Sequence, residues 1–469
     1  MTRLSAATLA GLPADVEGPR YDRAQVGTGV VHLGIGAFHR AHQAVFFEHA
    51  LNGGDLRWGV SGASLRSPVV HDALAPQDGL YSVVNRDGAE ERVQVIGAVR
   101  EVLVAPQDPA ALLARLAARD THIVTLTITE KGYAAGTPDS AAGYLAAALA
   151  ERRANGIDPF TVISCDNLSH NGDRLKQAVL AAARASDPAL VDWIDHKAAF
   201  PSSMVDRIVP ATSEDDIAHL ATRIGVEDRA MVKTEPFRQW VIEDRFSGPR
   251  PDLEAAGVQI TRDVAPWEEA KLRLLNGAHS AIAYLGGLAG IAFVHEVIAL
   301  PAAFAFIEAL MDETAATLTP PPGLDIPAYR AALLARFANP ALQHRTRQIA
   351  MDGSQKLPQR LLAPIATLFD RDRAAPTLTL AVAGWMRWTA GRDDQGEPHA
   401  VEDPLAPAIA AALGGATDPG DRVAALLSLR QIFPERLAAD RPFRDALTRD
   451  VAMLHDQGAL ATLERFRRG

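Results

Sequence analysis

The stretch that decides the fold is VVHLGIGAFHRAH, residues 30–42. Its apolar beginning is typical of a strand, Gly34 and Gly36 follow, and the segment AHQAVFFEHAL has the apolar spacing of a helix. A dinucleotide-binding fold places its phosphate turn between such a strand and helix, because glycines let backbone amides approach a pyrophosphate. The third glycine of the full fingerprint is missing, so the pattern alone fits a simple tight turn equally well.

The residues that follow the two glycines are polar and suit either a binding site or a core. A guanidinium at a helix start, as Arg40 provides, can neutralise phosphate. His39 and His42 have a spacing that metal ligands use, but no third ligand stands at a suitable distance in sequence. We therefore expect these histidines to make hydrogen bonds or to line the site.

The second strand-like run, RWGVSGASL, leads into Arg66 and meets no acidic residue before Asp72. An acidic residue normally closes this strand, where it binds the ribose hydroxyls of the adenosine. The sequence therefore leaves NAD and NADP open, and Arg66 suits a 2′-phosphate.

The pattern changes once along the chain. Further strand-like runs, RVQVIGAV, HIVTLTIT and FTVISCD, alternate with helical segments such as PAALLARLAARD and AAGYLAAALAERRANG. This alternation predicts an α/β fold with a largely parallel sheet covered on both faces. From about Pro266 nearly every segment has helical spacing, so we place the domain boundary near residue 265.

Composition limits the partners. The 469 residues suit two or three domains, and the net charge of −10 argues against nucleic acid as the main partner. The one cysteine, Cys165, excludes a disulfide framework and a four-cysteine metal site, which fits a reducing cytoplasm. No apolar run reaches the ~18 residues that span a bilayer, and we expect neither a signal peptide nor a membrane partner.

A second stretch, KLRLLNGAH (residues 271–279), carries the candidate chemistry. At 3.6 residues per turn, Lys271, Asn276 and His279 share one face of an otherwise apolar helix. Such a lysine either keeps its charged end in solvent, or is buried until its lowered pKa permits proton exchange near neutrality. Glu268 either passes that proton to solvent or is an ordinary acid of a helix's first turn.

Two other segments favour the catalytic interpretation of the lysine. SCDNLSHNGD places Asn167 at the carboxyl end of a predicted strand, where open α/β sheets bind ligands. FPSSMVDRIVP offers Asp206 and Arg207 in a loop bounded by prolines. Asparagine amides can stabilise a developing alkoxide while a lysine gives or takes the proton.

Together these motifs resemble the mannitol dehydrogenase family, the polyol-specific long-chain dehydrogenases and reductases. The matching segments include VHLGIGAFHRAHQAVF, TLTITEKGY, FTVISCDNLSHNG, FPSSMVDRIVP and KLRLLNGAHSAIAYLG, and further matches reach about residue 405. The resemblance implies a Rossmann-type domain over residues 1–265, a mostly α-helical domain over residues 266–469 and an active site in the cleft between them. It also implies metal-independent hydride transfer between a nicotinamide and a secondary carbinol carbon, in a monomer or weak homo-oligomer.

The resemblance also gives roles to individual residues. It implies that Lys271 is the general acid/base, that Asn167 and Asn276 form the oxyanion hole, and that His279 and Asp206 hold substrate hydroxyls. We predict NAD as the cofactor, without excluding NADP. Its predicted contacts are Gly34, Ile35, Gly36, Ala37, Phe38, His39, Arg40, Arg66, Thr127 and Asn167.

The substrate follows from a later segment, RFANPALQHRTRQIAMDGSQKLPQRLL (residues 336–362), which is similar to the fructuronate reductase branch. Its basic residues suit a sugar carboxylate, and Gln348 stands where the mannitol branch usually has arginine. Against this, ASLRS near residue 65 resembles the mannitol branch. The predicted substrate contacts are Asp206, Arg207, Lys356, Arg345 and Arg360.

We therefore expect reduction of D-fructuronate to D-mannonate, with mannitol 2-dehydrogenase or another polyol dehydrogenase, such as one for arabinitol or sorbitol, as the alternative. Two other classes stay open. A non-catalytic nucleotide-binding module, such as a redox sensor, needs the glycine turn but not Lys271, Asn167 and Asn276 together. A decarboxylating hydroxyacid dehydrogenase also pairs a helical lysine with an asparagine.

Overall fold

A computed structural model describes residues 2–133, 137–416 and 418–468 and divides into two compact units, Met1–Ala265 and Pro266–Gly469. The strands all lie in the first unit: β1 Val30–Leu33, β2 Val60–Ser64, β3 Tyr81–Asp87, β4 Glu90–Ile96, β5 Val99–Val104, β6 Ile123–Leu126, β7 Thr161–Ser164, β8 Ser203–Asp206, β9 Val232–Thr234, β10 Gln239–Glu243 and β11 Gln259–Thr261. Its helices are α1 Ala37–Ala41, α2 Gln43–Asn52, α3 Val69–Leu74, α4 Pro109–Ala117, α5 Ala141–Ala154, α6 Asn171–Ser186, α7 Pro188–Lys197 and α8 Glu214–Ile224.

The main sheet of the first unit has the strand order β5-β2-β1-β6-β7. Every neighbouring pair is parallel, with Val30 opposite both Val60 and Ile123. Consecutive residues of β1 enter different cores: Val30 packs into one hydrophobic cluster and Val31 into another. A strand with both faces buried in this way belongs to a doubly covered sheet. The predicted Rossmann-type α/β fold is confirmed.

The segment RVQVIGAV differs from the expected contribution to the parallel sheet. It lies largely in β4, which pairs antiparallel with β3 in a separate sheet of order β4-β3-β9. Only Gly88 and Ala89 separate the two strands, and a two-residue connection permits antiparallel pairing alone. The third three-stranded group, β11-β10-β8, is mixed.

The second unit is helical, as predicted. A helix that begins at the boundary, α9 Ala265–Ala270, runs into a first π segment, Lys271–Asn276, and then into α10 Gly277–Leu288. The others are α11 Val294–Ile298, α12 Pro301–Ala315, α13 Ile326–Ala338, α14 Thr346–Ala350, α15 Gly353–Leu357, a second π segment Pro358–Leu362, α16 Ala363–Phe369, α17 Pro376–Trp388, α18 Ala406–Leu413, α19 Pro419–Leu427, α20 Glu435–Ala439 and α21 Arg441–Arg468. Within the described ranges, no helix is long and apolar enough to cross a membrane.

All twelve residues of α10 are buried, which makes it the central helix of the second unit. Glycines allow its close packing on α17. A Cβ atom added at Gly287 would stand 2.7 Å from the ring of Trp388, and one added at Gly384 would stand 3.0 Å from Leu285. The helix that continues the first π segment is therefore held firmly along its length.

Candidate active site

The glycine turn after β1 has the conformation that its sequence predicts. Gly34 adopts φ +95°, and a Cβ atom there would stand 2.2 Å from the carbonyl oxygen of Thr127. Only glycine meets both conditions. Gly36 is exposed and precedes α1, so the backbone at the start of that helix is open to a ligand. Ala37 and Phe38 are half-buried beside it.

The two basic residues of α1 point inward rather than to solvent. His39 is fully buried and stacks on His32, with 3.4 Å between the ring centroids. The Nη1 of Arg40 donates to the carbonyl of Ile35 at 3.3 Å, and Tyr81 donates to the carbonyl of Arg40. Both side chains therefore brace the turn from within, and their contact with the cofactor stays a prediction.

Two further residues of the predicted cofactor set differ from each other in exposure. Ile35 is buried, with its side chain against Gly62 and its backbone N–H bonded to the carbonyl of Ala63. Arg66 is exposed beyond the end of β2. His42 forms a hydrogen bond of 2.8 Å between its Nε2 and the carbonyl of Gln239, in agreement with the expectation that it makes hydrogen bonds.

The loop after β7 presents Asn167, which is exposed, next to the half-buried carboxylate of Asp166. Asp166 accepts hydrogen bonds from the backbone amides of Ile128 at 3.2 Å and Thr129 at 2.9 Å, and from the hydroxyl of Tyr133 at 2.8 Å. Burial raises the pKa of Asp166. One carboxylate thus joins the loops after β6 and β7 at the carboxyl edge of the sheet. Asp166 was not among the predicted site residues, although its place in SCDN at a strand end was the available signal.

A second link joins the β7 loop to β8. The amide of Asn171 donates to the carbonyl of Ser203 at 2.7 Å and accepts from its backbone N–H at 3.0 Å. Asn171 also donates to the carbonyl of Asp166 at 3.0 Å. The last residue of β8 is Asp206, which is buried. These bonds fix the strand that carries Asp206 to the loop that carries Asn167.

Arg207 does not have the expected form of a substrate ligand. Its guanidinium donates to the carbonyls of Glu235 at 2.8 Å and Ala41, and to the side chain of Asn85. Burial lowers its pKa to about 9, and the positive charge of Arg238 acts in the same direction. Three protein oxygens thus accept hydrogen bonds from the Arg207 guanidinium, and its role in substrate binding stays a prediction.

The predicted catalytic lysine opens the first π segment and is only 9% exposed. The backbone N–H of Gly277 bonds to the carbonyl of Leu272, five residues back. An α-helical projection is therefore incorrect for this stretch, and the wider turn places Lys271 and Asn276 about one turn apart. Glu268 is half-buried in the preceding helix.

The second π segment lies directly against the first. Arg360 donates from Nη1 to the carbonyl of Asn276 at 3.4 Å and to the hydroxyl of Ser280 at 3.2 Å. A Cβ atom added at Gly277 would stand 3.1 Å from the carbonyl oxygen of Arg360. Burial lowers the pKa of Arg360 to about 10. Single π turns occur frequently at functional sites, and here two of them touch.

His279 is surrounded by basic groups. Its ring centroid lies 4.6 Å from that of Phe337 and 5.0 Å from that of His344. Burial is the main cause that holds the pKa of His279 well below its usual range, and neighbouring basic residues act in the same direction. We call these neighbours the basic cluster: Arg336, His344, Lys356 and Arg360. His279 is therefore neutral, and its Nε2 has no hydrogen-bond partner within the described part of the chain.

Two members of this region depart from the sequence prediction. Arg336, buried at the end of α13, belongs to the cluster although the sequence did not single it out. Arg345 is exposed and stacks on Phe293, with 5.1 Å from its guanidinium carbon to the ring centroid. Its predicted role in carboxylate binding stays a prediction. Lys356 donates to the carbonyls of Met351 and Ile349, and burial lowers its pKa to about 8.

The described residues contain no group of three or more histidine, cysteine, aspartate or glutamate side chains arranged to hold a metal ion.

Two family models match the chain, one in each of its two units. The Mannitol dehydrogenase Rossmann domain matches residues 28–255, and the Mannitol dehydrogenase C-terminal domain matches residues 263–455. The chain belongs to the mannitol dehydrogenase family. The family predicted from the sequence motifs is confirmed, and the chain is an oxidoreductase of that family.

Its relatives within the mannitol dehydrogenase family differ in the substrate that their names give. The D-mannonate oxidoreductase of Escherichia coli K12 is 42% identical over 94% of this chain and 96% of its own. The uncharacterized E. coli oxidoreductase YeiQ is 44% identical over 93% of this chain and 94% of its own length. The Pseudomonas fluorescens mannitol 2-dehydrogenase, solved with NAD and D-mannitol, superposes with a TM-score of 0.88 at 36% identity and full coverage of both chains.

Proposed function

We propose that this chain is an NAD(H)-dependent oxidoreductase that reduces D-fructuronate to D-mannonate. The observation that carries the choice of a sugar acid is the basic cluster around the neutral His279. A carboxylate is the natural counter-charge for grouped arginine and lysine side chains. The 42% identity to a D-mannonate oxidoreductase supports the same choice.

The cofactor assignment rests on the turn after β1. A pyrophosphate needs close backbone approach at the start of a helix, and Gly34 and the exposed Gly36 leave that space. A bound NADH would supply the hydride that reaches the ketone carbon. The P. fluorescens relative binds NAD, which favours NAD over NADP. The exposed Arg66 makes NADP the comparison to test.

The reaction needs one proton for each hydride, and we assign it to the Nζ of Lys271. Lys271 is only 9% exposed, and a positioned lysine is one of the side chains that serve as general acid or base. We assign Asn167 and Asn276 to the developing alkoxide, and Glu268 to the exchange of the proton with solvent. The unpartnered Nδ2 of Asn276, within the described residues, is a donor suited to that oxygen.

The remaining polar groups distinguish substrates. His279 and Asp206 are assigned to substrate hydroxyls, and Arg360 with Lys356 to the carboxylate. D-Mannitol carries no charge, so with mannitol the cluster would face no counter-ion. The 36% identity to a mannitol 2-dehydrogenase makes interconversion of D-mannitol and D-fructose the second candidate.

The test is NADH oxidation measured side by side with D-fructuronate, D-tagaturonate and D-fructose at equal enzyme concentration. We expect the highest kcat/KM with fructuronate and a much lower value with fructose. Faster turnover of fructose than of either uronate would overturn the proposed substrate and favour the mannitol alternative. Replacing NADH by NADPH in the same assay tests the cofactor.

A further inference from the structure

A buried histidine supports the glycine turn from below. His32 lies in β1 and is fully buried. Its Nδ1 is 2.7 Å from the hydroxyl of Thr125, and its Nε2 is 2.9 Å from the hydroxyl of Thr127 and 3.2 Å from the carbonyl oxygen of Gly34. The imidazole therefore connects the centre of the sheet to the first residue of the turn.

The direction of these hydrogen bonds follows from their partners. The hydroxyl of Thr127 donates to the carbonyl of Gly34 at 2.7 Å, which uses its one hydrogen. It must then accept from His32, so the Nε2 of His32 carries the proton and its Nδ1 accepts from Thr125. Burial lowers the pKa of His32 to about 3, which agrees with a neutral ring.

Three donors converge on the carbonyl oxygen of Gly34. They are the Nε2 of His32, the hydroxyl of Thr127 and the backbone N–H of Gly36 at 2.6 Å. Gly34 is also the residue whose φ of +95° sets the direction of the turn. Fixing its carbonyl fixes the peptide plane between residues 34 and 35, and hence the path of the backbone into α1.

We propose that His32 is a positioning residue for the dinucleotide turn: it holds the Gly34 carbonyl through its Nε2–H, so that the turn is already formed when the cofactor binds. The inference rests on the proposed function, because it takes the turn to be the NAD site. A preformed turn avoids the entropic cost of ordering on binding, so its loss should weaken cofactor affinity.

Two substitutions at position 32 distinguish the role of the donor Nε2 from that of the acceptor Nδ1. His32→Gln keeps an amide donor near the position of Nε2 and gives up the acceptor for Thr125. His32→Asn keeps an acceptor near the position of Nδ1 and removes the donor to Gly34 and Thr127. Both substitutions replace the buried ring by a smaller amide side chain. The loss of stability from altering the core should therefore be similar in the two variants.

The experiment measures the Kd of NADH by fluorescence titration for the wild-type protein and both variants, together with melting temperature and the KM for NADH. We expect His32→Asn to raise the Kd about tenfold, the effect of losing one buried hydrogen bond, and His32→Gln to raise it much less. The kcat at saturating NADH should stay close to that of the wild type. A histidine that merely stabilises the core would lower both melting temperatures and leave the ratio of the two Kd values near one.

Equal Kd values for the two folded variants would overturn the inference. If His32→Asn does not fold, Thr127→Val replaces it, because this nearly isosteric change removes the hydroxyl that donates to the Gly34 carbonyl and accepts from the Nε2–H of His32. An unchanged Kd in Thr127→Val would also overturn the inference. Failure of the wild-type protein to bind NADH is a separate result that contradicts the proposed function instead.

Discussion

The glycine turn of the first unit and the paired π segments of the second hold their predicted ligands by different physical means. The turn is shaped by backbone geometry and neutral hydrogen bonds, with the Gly34 carbonyl fixed by three donors. The π segments are shaped by close packing and expose a neutral histidine to positive charge. The first region should therefore be sensitive to small steric changes, and the second to changes of charge.

The largest expected effect comes from the π segments. Lys271→Ala should lower kcat about a thousandfold or more, the usual contribution of a general acid or base, and leave the Kd of NADH nearly unchanged. The measurement is NADH oxidation with the preferred substrate, paired with NADH titration. Arg273→Gln is the matched control in the same segment, because Arg273 bonds to Glu269 and Thr317 instead. Near-normal turnover in Lys271→Ala would contradict the assigned role.

The next effect tests the steric character of the turn. Gly34→Ala should weaken NADH binding more than tenfold, because the added Cβ atom would stand 2.2 Å from the Thr127 carbonyl oxygen. Gly54→Ala is the control: Gly54 has φ +98° with no atom within 4 Å, so it shares the backbone strain without the clash. Equal losses of NADH affinity in the two variants would show that strain, not the close contact at the turn, limits binding.

A smaller effect tests the charge of the second region. Arg360→Met should raise the KM for fructuronate about tenfold to a hundredfold, because a charge-assisted contact to the carboxylate is lost. The KM for fructose should change much less, since fructose has no charge. Arg347→Met is the matched control at an exposed site outside the basic cluster. Equal changes of KM for both substrates would assign Arg360 to packing of the two π segments.

The same contrast explains what the sequence predicted and what it did not. The β1 turn was predictable because Gly34 and Gly36 record a local backbone requirement, and strand ends place Asn167 by topology alone. The π segments were not predictable from the sequence. The i→i+5 hydrogen bonds of the first depend on packing against the second, which lies about 85 residues further along the chain. For the same reason charge alone did not show that Arg207 bonds to protein carbonyls, that Arg345 stacks on Phe293 or that Arg336 is buried, because these are tertiary contacts.

The smallest expected effect is on stability and concerns Glu48, a buried acid of the first unit. Glu48 is fully buried in α2 and accepts from the hydroxyl of Tyr21 and the backbone of Gly97, both at 2.8 Å. Burial raises its pKa from 4.5 to about 7. Between these values the unfolded chain loses the proton while the folded chain keeps it, so the free energy of unfolding falls as the pH rises from about 4.5 to 7.

Glu48→Gln removes this titration and keeps an acceptor for both donors. We expect the variant to gain in melting temperature relative to the wild type as the pH rises from 5 to 8, by a few degrees. The difference between the two proteins at each pH is the measured quantity, because titrations common to both cancel. A difference that stays constant across this range would mean that Glu48 is already ionised in the folded protein at pH 5. Its hydrogen bonds from Tyr21 and Gly97 would then outweigh its desolvation, and the steric and neutral character assigned to the first unit would no longer hold for its core.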